Sequence, residues 1–152
     1  MDKGRQREKS KVVIDASVAA KWIIPGEPWE AHARALKGKI ASMEIEAYAP
    51  PLLLYEVAYV ILKSVSTGIL KLSDGIEALK TMGHLGLSIQ TASWNDLAEI
   101  LSIAAATKLT VYDAAYLHLS KKMKAKLITA DSELKKRGES VTATILLKEL
   151  EI

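Results

Sequence analysis

The sequence predicts an α/β domain built on a mainly parallel central sheet, and three observations carry that prediction. Short apolar runs such as KVVI (residues 11–14) and KLITA (residues 126–130) alternate with longer stretches whose apolar residues recur at helical spacing. Helical stretches fall between most of the strand candidates, as parallel neighbours joined by right-handed crossovers require. No repeat, low-complexity tract or linker divides the 152 residues, and a 49% hydrophobic content suffices for one core without disulfide staples.

Each element has a local reason. Val12–Ile14 reads as a strand, and Ser17–Ile23 as a short helix stopped by Pro25-Gly26. Residues 28–40 are amphipathic at helical spacing, and Ala47–Ala49 is a short strand candidate. Pro50-Pro51 opens a helix through about Val65, because proline is tolerated in a first turn. A further helix is expected from about Ser73 to Leu85, then a strand over Leu87–Thr91. Ser93 with Asp96, and Thr110 with Asp113, have capping-box spacing for two helices, the second ending on Lys121-Lys122. Lys126–Ala130 reads as a strand, Asp131–Arg137 as a short helix, and Val141–Ile145 as a last strand before a terminal helix.

Composition narrows the chemistry. The absence of cysteine excludes disulfides, thiolate metal sites and cysteine nucleophiles, and it suits a cytoplasmic location. His32, His84 and His118 stand far apart with no ligand spacing, so they are expected at the surface or at edges rather than on a metal. The longest apolar run, Leu52 to Leu62, contains Glu56 and is too short to cross a bilayer, and the polar N-terminus has no signal-peptide character. Residues 1–11 hold five basic and two acidic side chains, the whole net charge of +3. Residues 1–10 are therefore read as a flexible basic arm preceding a domain over residues 11–152. A second basic stretch from Lys121 to Arg137 is equally readable as a phosphate-backbone contact or a solvated helix face.

Four acids stand where an open parallel sheet binds ligands, beyond the carboxyl ends of its strands. Asp15 ends the strand KVVI and Asp131 the strand KLITA, although either alone is better explained as a turn residue or helix N-cap. Asp113 falls in the first turn of its helix, where the cap with Thr110 is a sufficient reason for it. Glu56 lies on a helix whose apolar positions Leu54, Val57, Ala58, Ile61 and Leu62 share a face, and it points away from them with Tyr59 and Lys63. The helical wheel leaves surface and cleft equally open for it.

Taken in order, VVIDAS, LLLYEVAYVIL, TVYDAAYL and LITAD resemble the four acidic motifs of PIN-domain nucleases, especially VapC-type ribonuclease toxins. The resemblance covers nearly the whole chain from Lys11 onward. It implies a single α/β/α sandwich and an acidic site that binds Mg²⁺ or Mn²⁺ for endoribonucleolytic cleavage of RNA. It also implies a homodimer and inhibition by a cognate antitoxin. Asp15, Glu56, Asp113 and Asp131 match the acidic positions, Ser17 the small hydroxyl residue after the first, and Thr129 the hydroxyl before the last. One departure is that many members carry asparagine three residues after the glutamate, where this chain has Tyr59.

The chemistry can also be argued without the family. Carboxylate pairs at about 4 Å repel by on the order of 4 kcal/mol at an effective dielectric near 20, so such a cluster takes up protons or a cation. Hard divalent ions prefer oxygen ligands and, in the case of Mg²⁺, keep several waters. Asp15 and Asp131 are expected as principal ligands, Asp113 as a ligand or as the group orienting the attacking water, and Glu56 as an outer carboxylate. Ser17 and Thr129 would orient carboxylates from behind, with plain helix-entry and strand hydroxyls as the alternative. Tyr112 and Tyr116 flank Asp113, where an exposed ring could stack on a base of single-stranded RNA, but core packing is the better default. Trp22, Trp29 and Trp94 are likewise expected in the core or as interface anchors. A haloacid-dehalogenase phosphatase would need an acid at Ser17, a receiver module would need an acidic pair, and glycine-rich nucleotide loops are absent. The remaining alternatives are a PIN-like module that binds RNA or protein without cutting, supported by Tyr59, and an RNA-processing nuclease.

Overall fold

The structure is a computed structural model that describes residues 8–151, so most of the expected basic arm lies outside the described residues. Five strands form one sheet: β1 (Lys11–Ile14), β2 (Glu46–Ala49), β3 (Ser88–Ile89), β4 (Lys126–Thr129) and β5 (Thr144–Leu146). Among the described residues, seven α-helices accompany them: α1 (Ala16–Ala19), α2 (Glu30–Ala41), α3 (Leu52–Ser66), α4 (Leu72–Met82), α5 (Trp94–Thr107), α6 (Val111–Met123) and α7 (Ser132–Gly138). All pairings are parallel in the order β3-β2-β1-β4-β5, with Val12 opposite Ala47 and Ile14 opposite Ile128.

Strand alternation sorts the core into two layers. Val12, Ile14, Ala47, Ala49 and Ile128 face one side, where Leu36 and Ile40 of α2 and Leu53, Val57 and Ile61 of α3 cover them. Val13 and Leu127 face the other, under Tyr116, Leu117 and Leu119 of α6 and Leu134 of α7. A sheet covered on both faces explains the unbroken apolar runs of β1 and β4. Full burial of side chains such as Ile14, Leu117 and Leu127 contributes about 1.5–3 kcal/mol each.

The strand order locates the functional edge. From β1 the chain builds outward through β2 and β3, then returns to place β4 and β5 on the other side of β1. The order therefore reverses between β1 and β4, and the crevice beyond their carboxyl ends is where such sheets take ligands. Asp15 and Asp131 follow these two strands.

Several expectations are corrected. The terminal helix is a single 3₁₀ turn at Leu147–Glu149, and β5 starts later than expected because residues 141 and 142 turn back onto Gly138 O. The helix expected from Pro28 begins at Glu30, after Trp29 takes a left-handed conformation (φ 63°). On α3 the buried positions are Leu53, Val57, Ile61 and Ser64, whereas Leu54 and Leu62 are exposed, so the apolar stripe is rotated by about one residue. The helical wheel failed there because α3 is apolar on most of its circumference. Trp22 packs on the core and donates to Ala33 O, but Trp29 is half exposed and Trp94 almost fully exposed. Tyr112 is exposed as well, while Tyr116 is core.

Candidate active site

Asp15 is the most constrained of the four acids. It terminates β1, and its backbone N–H lies 3.4 Å from Ile128 O, which locks it against β4. Its Oδ1 accepts from Ser17 Oγ at 2.6 Å and from Val18 N at 3.2 Å, so it caps α1 as turn chemistry alone would predict. Its Oδ2 accepts from Thr129 Oγ1 at 2.5 Å. Burial pushes its carboxyl up to about 6, against the lowering effect of these hydrogen bonds and with a further rise from Asp131. A carboxylate this buried, at a sheet edge and beside a second acid, is a strained choice for a simple cap.

Thr129 and Ser17 join the two strand ends. Thr129, fully buried, accepts from Asp131 N at 3.0 Å while donating to Asp15, and Ser17 Oγ accepts from Ala130 N at 2.9 Å. Both hydroxyls therefore do more than their plain helix-entry and strand alternatives require. Asp131 caps α7 through one oxygen, with Oδ1 accepting from Glu133 N at 2.9 Å and Leu134 N at 3.3 Å. Its Oδ2 makes no hydrogen bond among the described residues, and the residue is exposed.

Asp113 and Glu56 extend the cluster. Thr110 Oγ1 accepts from Asp113 N at 3.1 Å, and the Thr110 side chain lowers the Asp113 carboxyl in turn. Burial raises the Asp113 carboxyl and the charge of Asp131 raises it further. Glu56, half-buried on α3, accepts from Tyr116 Oη at 2.7 Å. Burial raises its carboxyl too, Asp113 adds to the rise, and the Tyr116 bond opposes it. The charges thus connect in series, Asp15 to Asp131 to Asp113 to Glu56. Each of the four acids, remote in sequence, thus has at least one other of them as an electrostatic neighbour.

Among the described residues, the group whose ligand atoms all lie within 4.8 Å of one another is a different one, Asp96, Glu99 and His118. His118 is buried against Glu99 at 2.7 Å, contrary to the expectation of a surface residue, and Asp96 is paired with Lys122 at 3.1 Å. Sequence spacing misses this group because it spans α5 and α6. Among the described residues, no three of the four edge acids bring ligand atoms within 4.8 Å of one another. Their donor set is carboxylate and hydroxyl oxygen throughout, which fits Mg²⁺ or Mn²⁺ and not a thiophilic or imidazole-seeking metal. Beside the acids, Ser17 and Glu56 form part of the wall of a hollow of about 600 Å³. The basic stretch is partly neutralised internally, since Lys122 pairs with Asp96, Lys135 with Glu139, and Arg137 with Glu133. No described helix is long and apolar enough to cross a membrane.

Comparison with known proteins agrees with this architecture. The PIN domain family matches residues 12–140. The chain is 31% identical over 125 residues to Ribonuclease VapC3 of Pyrobaculum aerophilum, covering 82% of this chain and 92% of the relative. The crystal structure of PAE2754 from Pyrobaculum aerophilum superposes with a TM-score of 0.68 at 22% identity, covering 91% of this chain and 85% of that one. A toxin-antitoxin complex from Klebsiella pneumoniae gives a TM-score of 0.61 at 14% identity, covering 91% and 99%. With the switch-point acids, the all-parallel sheet and a match over most of its length, the chain belongs to the PIN-domain family, alongside the VapC-type ribonucleases.

Proposed function

We propose that the protein is a metal-dependent endoribonuclease that cleaves RNA phosphodiester bonds and serves as the toxin of a toxin-antitoxin pair. The observation that carries this reading is the buried Asp15 at the β1–β4 switch point, coupled electrostatically to Asp131 and through it to Asp113 and Glu56. The VapC3 relative named as a ribonuclease supports the reaction, and the toxin-antitoxin complex of the same fold supports the partner.

Asp15, Asp113 and Asp131 would hold Mg²⁺ or Mn²⁺. When bound, the ion supplies an activated water and neutralises charge on the scissile phosphate. Ser17 and Thr129 fix both oxygens of Asp15, so its orientation needs no rearrangement when substrate arrives. The unbonded Oδ2 of Asp131 faces outward for a second contact. Asp113 orients the attacking water, and Glu56, raised by burial and by Asp113, is suited to accept its proton. Residues 11–152 would make up the catalytic domain, working in the cytoplasm where RNA is available.

Apolar side chains left exposed on α3 and α4, including Leu54, Leu62, Leu72 and Ile76, support a second copy and an antitoxin as partners. The non-cleaving alternative rested on Tyr59. Against it, Tyr59 is exposed and Glu56 accepts its hydrogen bond from Tyr116.

The test is incubation of the purified protein with single-stranded RNA and Mn²⁺ or Mg²⁺, with and without chelator, beside Asp15→Asn. Cleavage abolished by chelator and by the substitution is expected. Cleavage indifferent to both would overturn the metal-nuclease reading, and binding without cleavage would favour a non-cutting module.

A further inference from the structure

The hollow beside the acids has an unusual lining. Tyr55 and Tyr59 stand one turn apart on α3, Tyr112 opens α6 next to Asp113, and all three rings are exposed, at 78%, 67% and 63%. Ala16 and Ala20 add only methyl groups to the wall, beside Leu52 and Val60. The rings are not needed to fill the core, which closes without them. Its volume of about 600 Å³ lies within the range of small-ligand sites.

We propose that this hollow receives an unpaired nucleobase of the RNA substrate, held by stacking on Tyr55, Tyr59 and Tyr112. The inference rests on the ribonuclease reading and adds a contact to it, an unpaired base gripped next to the cleaved bond. Continuity with the acid cluster selects this occupant: Ser17 and Glu56 belong to both, so a base seated here leaves its own phosphate beside Asp15 and Asp113. Stacking on tyrosine accepts any base face, and the polar wall adds discrimination, since the Glu56 carboxylate can accept from an exocyclic amine. Lys63, exposed one turn beyond Tyr59, supplies a cation for the phosphate that follows. Tyr59 thus stands as a substrate contact at the position where many relatives carry asparagine.

The experiment uses the full chain, short single-stranded RNAs, and the same RNAs with one abasic position moved along the strand. Tyr59→Ala and Tyr112→Ala are expected to raise KM about 5- to 150-fold, with kcat changed much less. Tyr59→Phe should restore KM, because the ring face and not the hydroxyl is used. One abasic position should weaken the parent protein and add nothing to Tyr59→Ala, the non-additivity of two changes at one contact. Trp94→Ala, at the start of α5 and outside the lining of the hollow, serves as the exposed-aromatic control. Additive abasic and tyrosine effects, or an unchanged KM in all tyrosine variants, would overturn the proposal and point to a protein segment as the occupant. Quenching of 2-aminopurine RNA under chelator separates the two readings. Quenching lost in Tyr59→Ala but present without any cleavage would leave the base site standing while the nuclease reading fails.

Discussion

Tyr116 and Glu56, 60 residues apart in the chain, meet through a 2.7 Å hydrogen bond in which the phenol donates to the carboxylate. Tyr116 is buried in the layer under α6, and its own ionisation is pushed far up by burial and by Glu56, so it remains a donor at every working pH. A core residue thereby fixes the rotamer of an acid at the sheet edge. Tyr116→Phe removes one oxygen and keeps the packing. A hydrogen bond to a charged group is worth about 1.5–3 kcal/mol, so kcat for RNA cleavage should fall about tenfold or more while KM stays near that of the parent. Comparable kcat loss is not expected from Tyr48→Phe, whose hydroxyl bonds Glu46 at 2.8 Å away from the acid cluster. An unchanged kcat in Tyr116→Phe would show that Glu56 needs no such support.

Thr129 offers a sharper separation of stability from function. Its hydroxyl is at once donor to Asp15 and acceptor from Asp131 N. Thr129→Val keeps shape but leaves the buried Asp15 Oδ2 without its donor, at about 1–3 kcal/mol, and frees the partly exposed Asp131 N. Thermal unfolding should therefore shift down by several degrees. Cleavage at limiting Mn²⁺ should fall about 10- to 100-fold, as for groups that orient metal ligands, and excess Mn²⁺ should recover part of it. Ser17→Ala, which leaves Thr129 in place, should show the activity loss with a smaller thermal shift.

The parts of this fold that sequence made legible are those whose signals are local. Strands β1 and β4 were readable because burial on both faces demands unbroken apolar runs, and Asp15 and Asp131 because each closes such a run. The cap at Ser93 and Asp96 formed as its spacing requires. What sequence could not supply were contacts made between elements. Tyr116 reads as a core aromatic, and nothing within its helix points to Glu56 on α3. His118 reads as an isolated histidine until α5 and α6 pack and bring Glu99 against it. The α3 wheel misplaced the buried stripe because a nearly all-apolar helix carries little phase information.

Gly138 sets how closely α7 can approach α6. A methyl group there would stand 2.6 Å from Leu117 Cδ2, and Leu117 is itself fully buried. Gly138→Ala should destabilise by about 1–3 kcal/mol, the usual cost of overpacking, as read from urea unfolding. Leu117→Val in the same chain makes space and should recover part of the loss. If Gly138→Ala were as stable as the parent, the packing of α7 would be looser than the structure describes.

Asp96 supplies a pH test remote from the acid edge. Its carboxyl is lowered to about 2, first by the backbone N–H of Ser93 and then by Lys122. Because the folded value lies below the ordinary value of 3.8, the folded state favours the carboxylate. The stabilisation is fully present above pH 3.8 and is lost as pH falls from there through about 2. Asp96→Asn should therefore melt below the parent at pH 7, with the two curves converging towards pH 2. Ser93→Ala removes the other half of the cap, at about 0.5–2 kcal/mol, and should lower the melting temperature at pH 7 by a few degrees. Added salt should narrow the Asp96→Asn gap only in part, since it screens Lys122 but leaves the Ser93 bond intact. A gap independent of pH between 7 and 2 would assign the effect to packing rather than to the charge of Asp96.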